Sequence, residues 1–203
     1  LRLVGSEMCI RDRYQQVLDE RGEQAGACFL LAAVLMGVRE SLASELLARL
    51  PPRVRAHQLR QFARIANHDE AFLPYCRLDA DVFLKEFGLA TLRLYAGASS
   101  VIDPRAGMGR SILWQGGLMA LPGRALLFAR AGGFKPWFAI HVNRLYQDEF
   151  NEEGRNECYR CCVDLYELHP DALGMIAGSW FYDPVVEIIS PHLAYLRLSL
   201  IHI

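Results

Sequence analysis

Residues 134–182 read FKPWFAIHVNRLYQDEFNEEGRNECYRCCVDLYELHPDALGMIAGSWFY, and the order of patterns along this stretch decides the fold class. Phe134–Val142 predicts a β-strand, and a helix is expected over about 148–168, where His169-Pro170 stops it. A second strand is expected over Leu173–Tyr182. A strand, a helix and a strand in succession predict a sheet with a helix packed on it.

Upstream of this stretch the first part of the chain is helical in pattern. Phe29–Leu50 contains no proline and predicts one long helix, which Pro51-Pro52 ends. Helices are also expected over about 53–66 and from Asp79 to Gly88. The apolar stripe of the first helix, which is predicted to face the core, consists of Leu35, Val38, Leu42, Leu46 and Leu50.

Two hairpins are expected between residues 89 and 142. Leu89–Tyr95 alternates well enough for a strand, and Ser99–Asp103 is expected to return as its partner. Turn residues bracket Arg124–Arg130, which is therefore expected to pair with Phe134–Val142. With a last helix over Pro184–Leu196, the sequence predicts an α+β fold, in which N-terminal helices are followed by a mixed, hairpin-containing sheet with helices packed on it.

Both ends of the chain resemble sequence of another origin. LRLVGSEMCIRDR (residues 1–13) and LSLIHI (residues 198–203) are similar to the conceptual translation of sequencing-library adapters. Such segments recur at the ends of unrelated metagenomic reading frames. The sequence therefore predicts one α+β domain over residues 14–197, truncated on both sides.

Composition narrows the classes of function. The formal net charge is −1, so a dedicated nucleic-acid-binding protein is not expected. Six cysteines without a disulfide-like spacing predict reduced thiols and a cytoplasmic protein. The most apolar run, AGACFLLAAVLMGV, has 14 residues, fewer than the roughly 20 that a membrane-spanning helix needs, so we expect a buried helix and no membrane span.

The segment VIDPRAGMGRSIL, residues 101–113, joins an expected strand to a glycine loop. Glycines let backbone N–H groups approach a phosphate, and the positive end of a following helix would favour it. The loop resembles the pyrophosphate-binding loop of the GCN5-related N-acetyltransferases, which reads Gln or Arg, two residues, Gly, one residue, Gly or Ala, although Pro104 stands at the first position here. The resemblance implies an acyl-CoA cofactor and acyl transfer to a small molecule. Its cofactor-binding residues would be Arg105, Gly107, Gly109 and Arg110.

Two alternatives stay open for the same loop. It is also similar to the first motif of S-adenosylmethionine-dependent methyltransferases, Asp-Pro-x-x-Gly-x-Gly, which is matched by Asp103, Pro104, Gly107 and Gly109. That family needs alternating parallel strands and helices and usually an acidic residue that ends the next strand, and Arg124–Arg130 offers no such acid. The third interpretation is an ordinary loop in a non-enzymatic interaction domain.

Candidate catalytic groups follow the strand predicted over 134–142. His141 is a candidate general base, with the carboxylate of Glu153 to orient it. A histidine at a strand end is also explained by structure alone, and a carboxylate in the first turn of a helix by the helix dipole. If the order of strands and helices resembles that of the acetyltransferases, Tyr182 or Tyr195 would lie near the position of the general acid in such enzymes.

Three cysteines in the helix expected over 148–168 invite a metal interpretation, with His169 as a fourth ligand. Zinc needs ligands that converge from different directions, which three cysteines on one helix do not provide. Helical spacing predicts a buried stripe instead, so no metal site is expected. The stripe consists of Cys158, Cys161, Cys162 and Leu165.

Overall fold

A computed structural model describes residues 2–67, 70–107, 109–114, 116–145, 147–178 and 182–197. The chain divides into two compact units. The first comprises Leu1–Ala96 with Asn143–Leu145, and the second comprises Gly97–Val142 with Tyr146–Ile203. The domain boundaries 14–197 and the origin of the two ends stay predictions, and residues 198–203 lie outside the described part of the chain.

The first unit is built from helices. They are α1 (Arg2–Arg21), α2 (Glu23–Leu42), α3 (Glu45–Arg49), α4 (Pro52–Ala66) and α5 (Asp81–Ala90), with a 3₁₀ helix over Glu70–Tyr75. The single helix predicted over 29–50 is wrong, because the chain breaks after Leu42 and α3 begins anew. The Ser44 hydroxyl accepts a hydrogen bond (3.2 Å) from the backbone N–H of Leu47 and so caps α3.

The buried face of α2 differs from the predicted stripe. Leu30, Val34 and Val38 are buried, whereas Leu35 and Leu42 are exposed by 39 % and 54 % of their surface. On α2 the predicted stripe is therefore correct at Val38 and wrong at Leu35 and Leu42. Because α2 is apolar on most of its circumference, helical spacing alone does not select the face that packs against the core.

The length and composition of α2 are also those of a membrane-spanning helix, and within the described residues no other helix passes this test. A buried core helix and a signal sequence pass the same test. In this structure 33 % of its most apolar window is buried. The expectation that the chain has no membrane span stays a prediction.

Buried polar side chains hold the first unit together. Gln58 donates from Nε2 to the carbonyl oxygen of Leu89 (2.8 Å), and its Oε1 accepts from the N–H of Ala96 (2.9 Å). The carboxylate of Glu86, which is fully buried, accepts from Nδ2 of Asn143 (2.6 Å). Buried polar groups need such partners, and the bond to Glu86 explains why Asn143 belongs to the first unit.

The helix predicted over 53–66 is confirmed as α4. Its predicted apolar face is buried, with Val54 and Ile65 fully inaccessible and Phe62 nearly so. Pro52 occupies the first turn, where its missing N–H removes no hydrogen bond. The spacing of apolar residues was decisive here because the opposite face of the helix is charged.

The four-stranded sheet has the order β1-β2-β3-β4, and the last three strands lie in the second unit. The strands are β1 (Tyr95–Gly97), β2 (Ser100–Ala106), β3 (Trp137–Val142) and β4 (Met175–Ile176). β2 and β3 are antiparallel, and β3 and β4 are parallel. The predicted fold class, α+β with N-terminal helices followed by a mixed sheet, is confirmed.

Helices complete the second unit. They are α6 (Leu121–Arg130), α7 (Glu152–Leu165) and α8 (Pro184–Ile189), with 3₁₀ helices over Arg110–Trp114, Leu118–Ala120 and Pro191–Arg197. The helix predicted over 148–168 is confirmed as α7. Its four stripe residues, from Cys158 to Leu165, have no exposed surface, as the helical spacing predicted.

The predicted hairpin of Arg124–Arg130 with Phe134–Val142 is wrong. Arg124–Arg130 belongs to α6, and the antiparallel partner of β3 is β2. Gly132 and Gly133 follow α6 with φ of +92° and +62°, the left-handed conformation in which helices often end. Glycines in this position signal a hairpin turn or a helix end equally well, so the local sequence does not separate the two.

The strand predicted over Leu89–Tyr95 is wrong for most of its length. α5 continues to Ala90, and β1 begins only at Tyr95. Leu92 lies between them with φ of +55°, which breaks the extended conformation.

The strand and the helix predicted near the C-terminus are shorter in the structure. Of residues 173–182, Met175–Ile176 form a strand, and residues 179–181 lie outside the described ones. α8 stops at Ile189, short of the predicted end at Leu196. Pro191 explains this, because proline has no N–H to continue a helix.

Candidate functional site

The glycine turn, residues 105–110, comprises the last two residues of β2, the loop that follows them and the first residue of the 3₁₀ helix Arg110–Trp114. Oδ1 of Asp103 accepts from the N–H of Arg105 (2.9 Å), which fixes the start of the turn. A Cβ added to Gly107 would lie 3.7 Å from the carbonyl oxygen of Lys135, an ordinary contact distance. The 3₁₀ helix has only five residues, so side-chain cations and backbone N–H groups would bind an anion here with little help from a helix dipole. Residue 108 lies outside the described part of the chain.

Three exposed cations belong to this region: Arg105, Arg110 and Lys135. The guanidinium of Arg110 lies over the ring of Phe134, 5.3 Å from its centroid. Phe134 in turn meets Phe128 edge to face at 5.1 Å. This cation–π contact holds Arg110 against the segment that carries Lys135, so that two of the cations share one neighbourhood.

An open cavity of about 520 Å³ is lined in part by Lys135, whose carbonyl oxygen lies near Gly107 of the glycine turn. Most of its walls are apolar, and one basic and one acidic side chain stand among them. It is lined by Phe134, Lys135, Pro136, Pro170, Asp171, Ala172 and Leu173. Cavities of this size with a few polar groups are typical of small-molecule sites.

The walls of the cavity are fixed by close packing around two glycines. Leu173 packs so closely on Gly132 that a Cβ there would collide with it. The ring of Trp137 covers Gly174, where a Cβ would approach within 2.9 Å, and its Nε1 donates to the carbonyl oxygen of Ala131 (3.2 Å). These contacts keep the loops on both sides of the cavity in place.

His169, which precedes the cavity residue Pro170, has a pKa below its ordinary value. Burial lowers its pKa, and the charge of Arg105 lowers the pKa further, against a smaller opposite effect of Asp171. The imidazole is therefore neutral at neutral pH. Arg105 of the glycine turn therefore lies within electrostatic reach of this imidazole.

A second group of functional side chains, the arginine–tyrosine cluster, consists of Arg155, Tyr159, Tyr182 and Tyr195. Arg155 is only 4 % exposed. Its Nε donates to the hydroxyl of Tyr159 (2.8 Å) and its Nη2 to the hydroxyl of Tyr182 (2.6 Å). Burial raises the pKa of Tyr182, which Arg155 partly opposes, so this phenol is protonated at neutral pH.

The start of α7 places Arg155 in this cluster. Oδ1 of Asn151 accepts from the N–H of Gly154 (2.9 Å) and caps the helix. A Cβ on Gly154 would collide with the carbonyl oxygen of Glu149 and would lie 3.1 Å from the Cβ of Ser99, so the helix start requires glycine. The first turn of α7 thereby packs closely at the beginning of β2.

Cys158 lies on the buried side of α7, three residues after Arg155. A hydrogen bond with Cys162 lowers the pKa of Cys158, and so do Arg155 and Ser100, while burial acts in the opposite direction. The same pairing raises the pKa of Cys162, as does burial. Because Cys158 has no exposed surface, these thiols form a buried hydrogen-bonded group and are not accessible nucleophiles.

The structure separates the sequence-predicted residues into two places. Arg105 is the penultimate residue of β2, and Gly107, Gly109 and Arg110 follow the end of this strand, where Ala106 pairs with Trp137. Tyr182 is in the cluster at the opposite end of the strand pair, where Ser100 pairs with Val142. Trp137 and Val142 are five strand residues apart, which at about 3.4 Å per residue is roughly 17 Å.

The other two candidates are exposed. His141 lies on β3 beside Val101 of β2, and Glu153 lies in the first turn of α7. Sequence reasoning missed Arg155, although it precedes Cys158 by three residues and Cys162 by seven. This spacing puts Arg155 on the buried stripe and was the available signal.

Comparison with known proteins adds no relative. No protein family, no curated protein and no solved structure matches this chain.

Proposed function

We propose that the second unit binds an acyl-CoA and transfers its acyl group to a small molecule. The observation that carries this proposal is the combination of a glycine turn and three cations with a cavity whose walls are mostly apolar. CoA matches this combination, because its negatively charged phosphates suit the cations and its adenine base suits the apolar cavity. The resemblance of residues 104–109 to a pyrophosphate-binding loop supports the same ligand.

The cations and the cavity would bind different parts of the ligand. Arg105, Arg110 and Lys135 would bind the phosphates, and the N–H groups of the glycine turn would add hydrogen bonds. The adenine would enter the cavity against Phe134 and Leu173. A bound phosphate near Arg105 would also raise the pKa of His169, because an added negative charge favours the imidazolium.

The reacting end of the ligand would lie at the arginine–tyrosine cluster. The pantetheine arm would then run along the strand pair for roughly 17 Å, five steps of about 3.4 Å. His141, oriented by Glu153, would take the proton of the acceptor as it attacks the thioester carbonyl. The carbon–sulfur bond breaks, and the departing thiolate takes the proton of Tyr182.

The methyltransferase alternative is less favoured by the sheet. β2, the strand before the glycine turn, runs antiparallel to its neighbour β3. The segment expected to carry an acidic ribose ligand, Arg124–Arg130, belongs to a helix. S-adenosylmethionine therefore serves as the competing ligand in the test below.

The test is a thermal-shift screen of the full chain against acetyl-CoA, CoA, S-adenosylmethionine and S-adenosylhomocysteine. A ligand at about 100 times its Kd stabilises the native state by about 2.7 kcal/mol, so acetyl-CoA and CoA are expected to raise the Tm by about 5–10 °C. The double variant Arg105→Glu/Arg110→Glu should lose this shift, and Arg49→Glu, an exposed arginine in the first unit, should keep it. A shift with the adenosyl compounds alone, or with none of the four, would overturn the proposal.

A further inference from the structure

The starting observation is that Arg155 is buried and that none of the carboxylates in the described part of the chain forms a hydrogen bond with it. Arg155 is buried over nearly all of its surface, and its guanidinium donates to the hydroxyls of two tyrosines. Among the described side chains no carboxylate bonds to it. A guanidinium has five N–H donors, so the two bonds to Tyr159 and Tyr182 leave donor capacity over.

The aromatic rings offset part of the cost of this buried charge. The guanidinium carbon lies 4.8 Å from the ring centroid of Tyr159 and 6.0 Å from that of Tyr182. Such cation–π contacts stabilise a cation but leave its net charge in place. Burying a charge without a bonded counter-charge is unfavourable, and among the described residues the guanidinium has no carboxylate hydrogen-bonded to it.

Tyr195 supplies a second, independent observation. Its hydroxyl is buried and has no hydrogen-bond partner among the described residues. Burial raises the pKa of Tyr195, Arg155 lowers it, and Tyr182 and the carboxylate of Glu152 raise it, so this phenol lies within the electrostatic reach of the guanidinium and of one carboxylate. A protonated phenol is a hydrogen-bond donor, and this one lacks an acceptor.

We propose that the arginine–tyrosine cluster is a binding site for the carboxylate of a small organic acid. One guanidinium bonded to tyrosine hydroxyls matches a singly charged anion better than a doubly charged phosphate. A carboxylate can accept two parallel bonds from a guanidinium and a further bond from the Tyr195 hydroxyl. The site is independent of the glycine turn and does not require that the chain bind CoA.

The experiment compares the Tm of the full chain in sodium acetate, sodium phosphate and sodium chloride at equal ionic strength, roughly 0.1 M, so that general screening is constant. Acetate is expected to raise the Tm by about 3 °C over chloride, and phosphate is expected to have no such effect. Equal melting temperatures in acetate and chloride would overturn the proposal. A larger shift in phosphate than in acetate would overturn the assignment to carboxylates.

Variants locate the effect in the cluster. Arg155→Gln should abolish the acetate shift, whereas Arg160→Gln, an exposed arginine on the same helix, should retain it. Because Arg155→Gln risks unfolding the second unit, Tyr195→Phe is the decisive variant. It removes only a hydroxyl without a partner, so the free protein should be as stable as the parent or more stable. The acetate affinity of Tyr195→Phe should nevertheless fall about 10-fold, and an unchanged acetate shift would contradict the proposal.

Discussion

Replacement of Gly107 by valine is expected to weaken the binding of CoA by at least about 100-fold, or about 2.7 kcal/mol, without lowering the Tm of the free protein. The isopropyl group would occupy the space in which a phosphate approaches the backbone N–H groups of the glycine turn. The fold tolerates it because a Cβ at this position meets only the carbonyl oxygen of Lys135 at 3.7 Å. Gly107 also lies outside the positive-φ glycines, so a side chain causes no backbone strain.

The matched control is Gly123→Val in α6. A Cβ at Gly123 has no neighbour within 4 Å, and its φ is not positive. Calorimetric titration of both variants and the parent with CoA measures the difference. Unchanged affinity in Gly107→Val would contradict the placement of the phosphates, and equal loss in both variants would show an effect on the fold.

Replacement of Phe138 by alanine is expected to lower the free energy of unfolding of the second unit by about 3–5 kcal/mol. Phe138 has no exposed surface and pairs with Met175 of β4. Its ring meets that of Tyr166 edge to face at 4.9 Å and that of His169 at 6.1 Å. Its removal leaves a cavity between the sheet and the end of α7, which rigid neighbours fill only in part.

Denaturant unfolding followed by tryptophan fluorescence measures this loss, since residues 114, 137 and 180, the three tryptophans of the chain, all belong to the second unit. Phe134→Ala is the control, because Phe134 is 76 % exposed and should cost about 1 kcal/mol or less. Phe134→Ala should instead weaken CoA binding, because its ring lines the cavity and orients Arg110. A loss below about 1 kcal/mol for Phe138→Ala would contradict the described core.

Sequence patterns predicted best the helices whose two faces differ in polarity. α4 carries arginines opposite Val54 and Phe62, and α7 carries acidic and amide side chains opposite its cysteines, so the apolar spacing located both helices. α2 has no such contrast, and its predicted stripe failed. Contacts made by residues distant in sequence decide which side of such a helix is buried.

The segments predicted wrongly are those in which one local signal has two structural meanings. Gly132 and Gly133 follow α6 as helix-ending residues, although glycines in this position also fit a hairpin. The antiparallel partner of β3 comes from β2, about thirty residues earlier, and no local pattern records that pairing. Strand pairs between distant segments depend on tertiary structure, which short-range spacing does not encode.

In the candidate sites, too, features that depend on local sequence could be predicted, and features that depend on contacts between distant segments could not. The cations of the glycine turn could be named from the sequence because a glycine loop is a local motif. The cavity beside it could not, since it forms between the loops at Phe134 and Leu173. Arg155 was missed because an arginine within a charged helix start is usually solvent-exposed, and only its spacing from Cys158 and Cys162 marked it as buried.

The most direct test of the central claim, that CoA binds at the glycine turn, is an amide NMR titration of the isotopically labelled chain with CoA. This claim predicts that the largest shifts occur at Gly107 and Gly109, which lie in the glycine turn, and at Lys135, whose side chain would bind a phosphate. It also predicts a rise in the pKa of His169 on saturation, because a phosphate near Arg105 favours the imidazolium. No shifts at saturating CoA, or shifts confined to the start of α7 around Arg155, would contradict it.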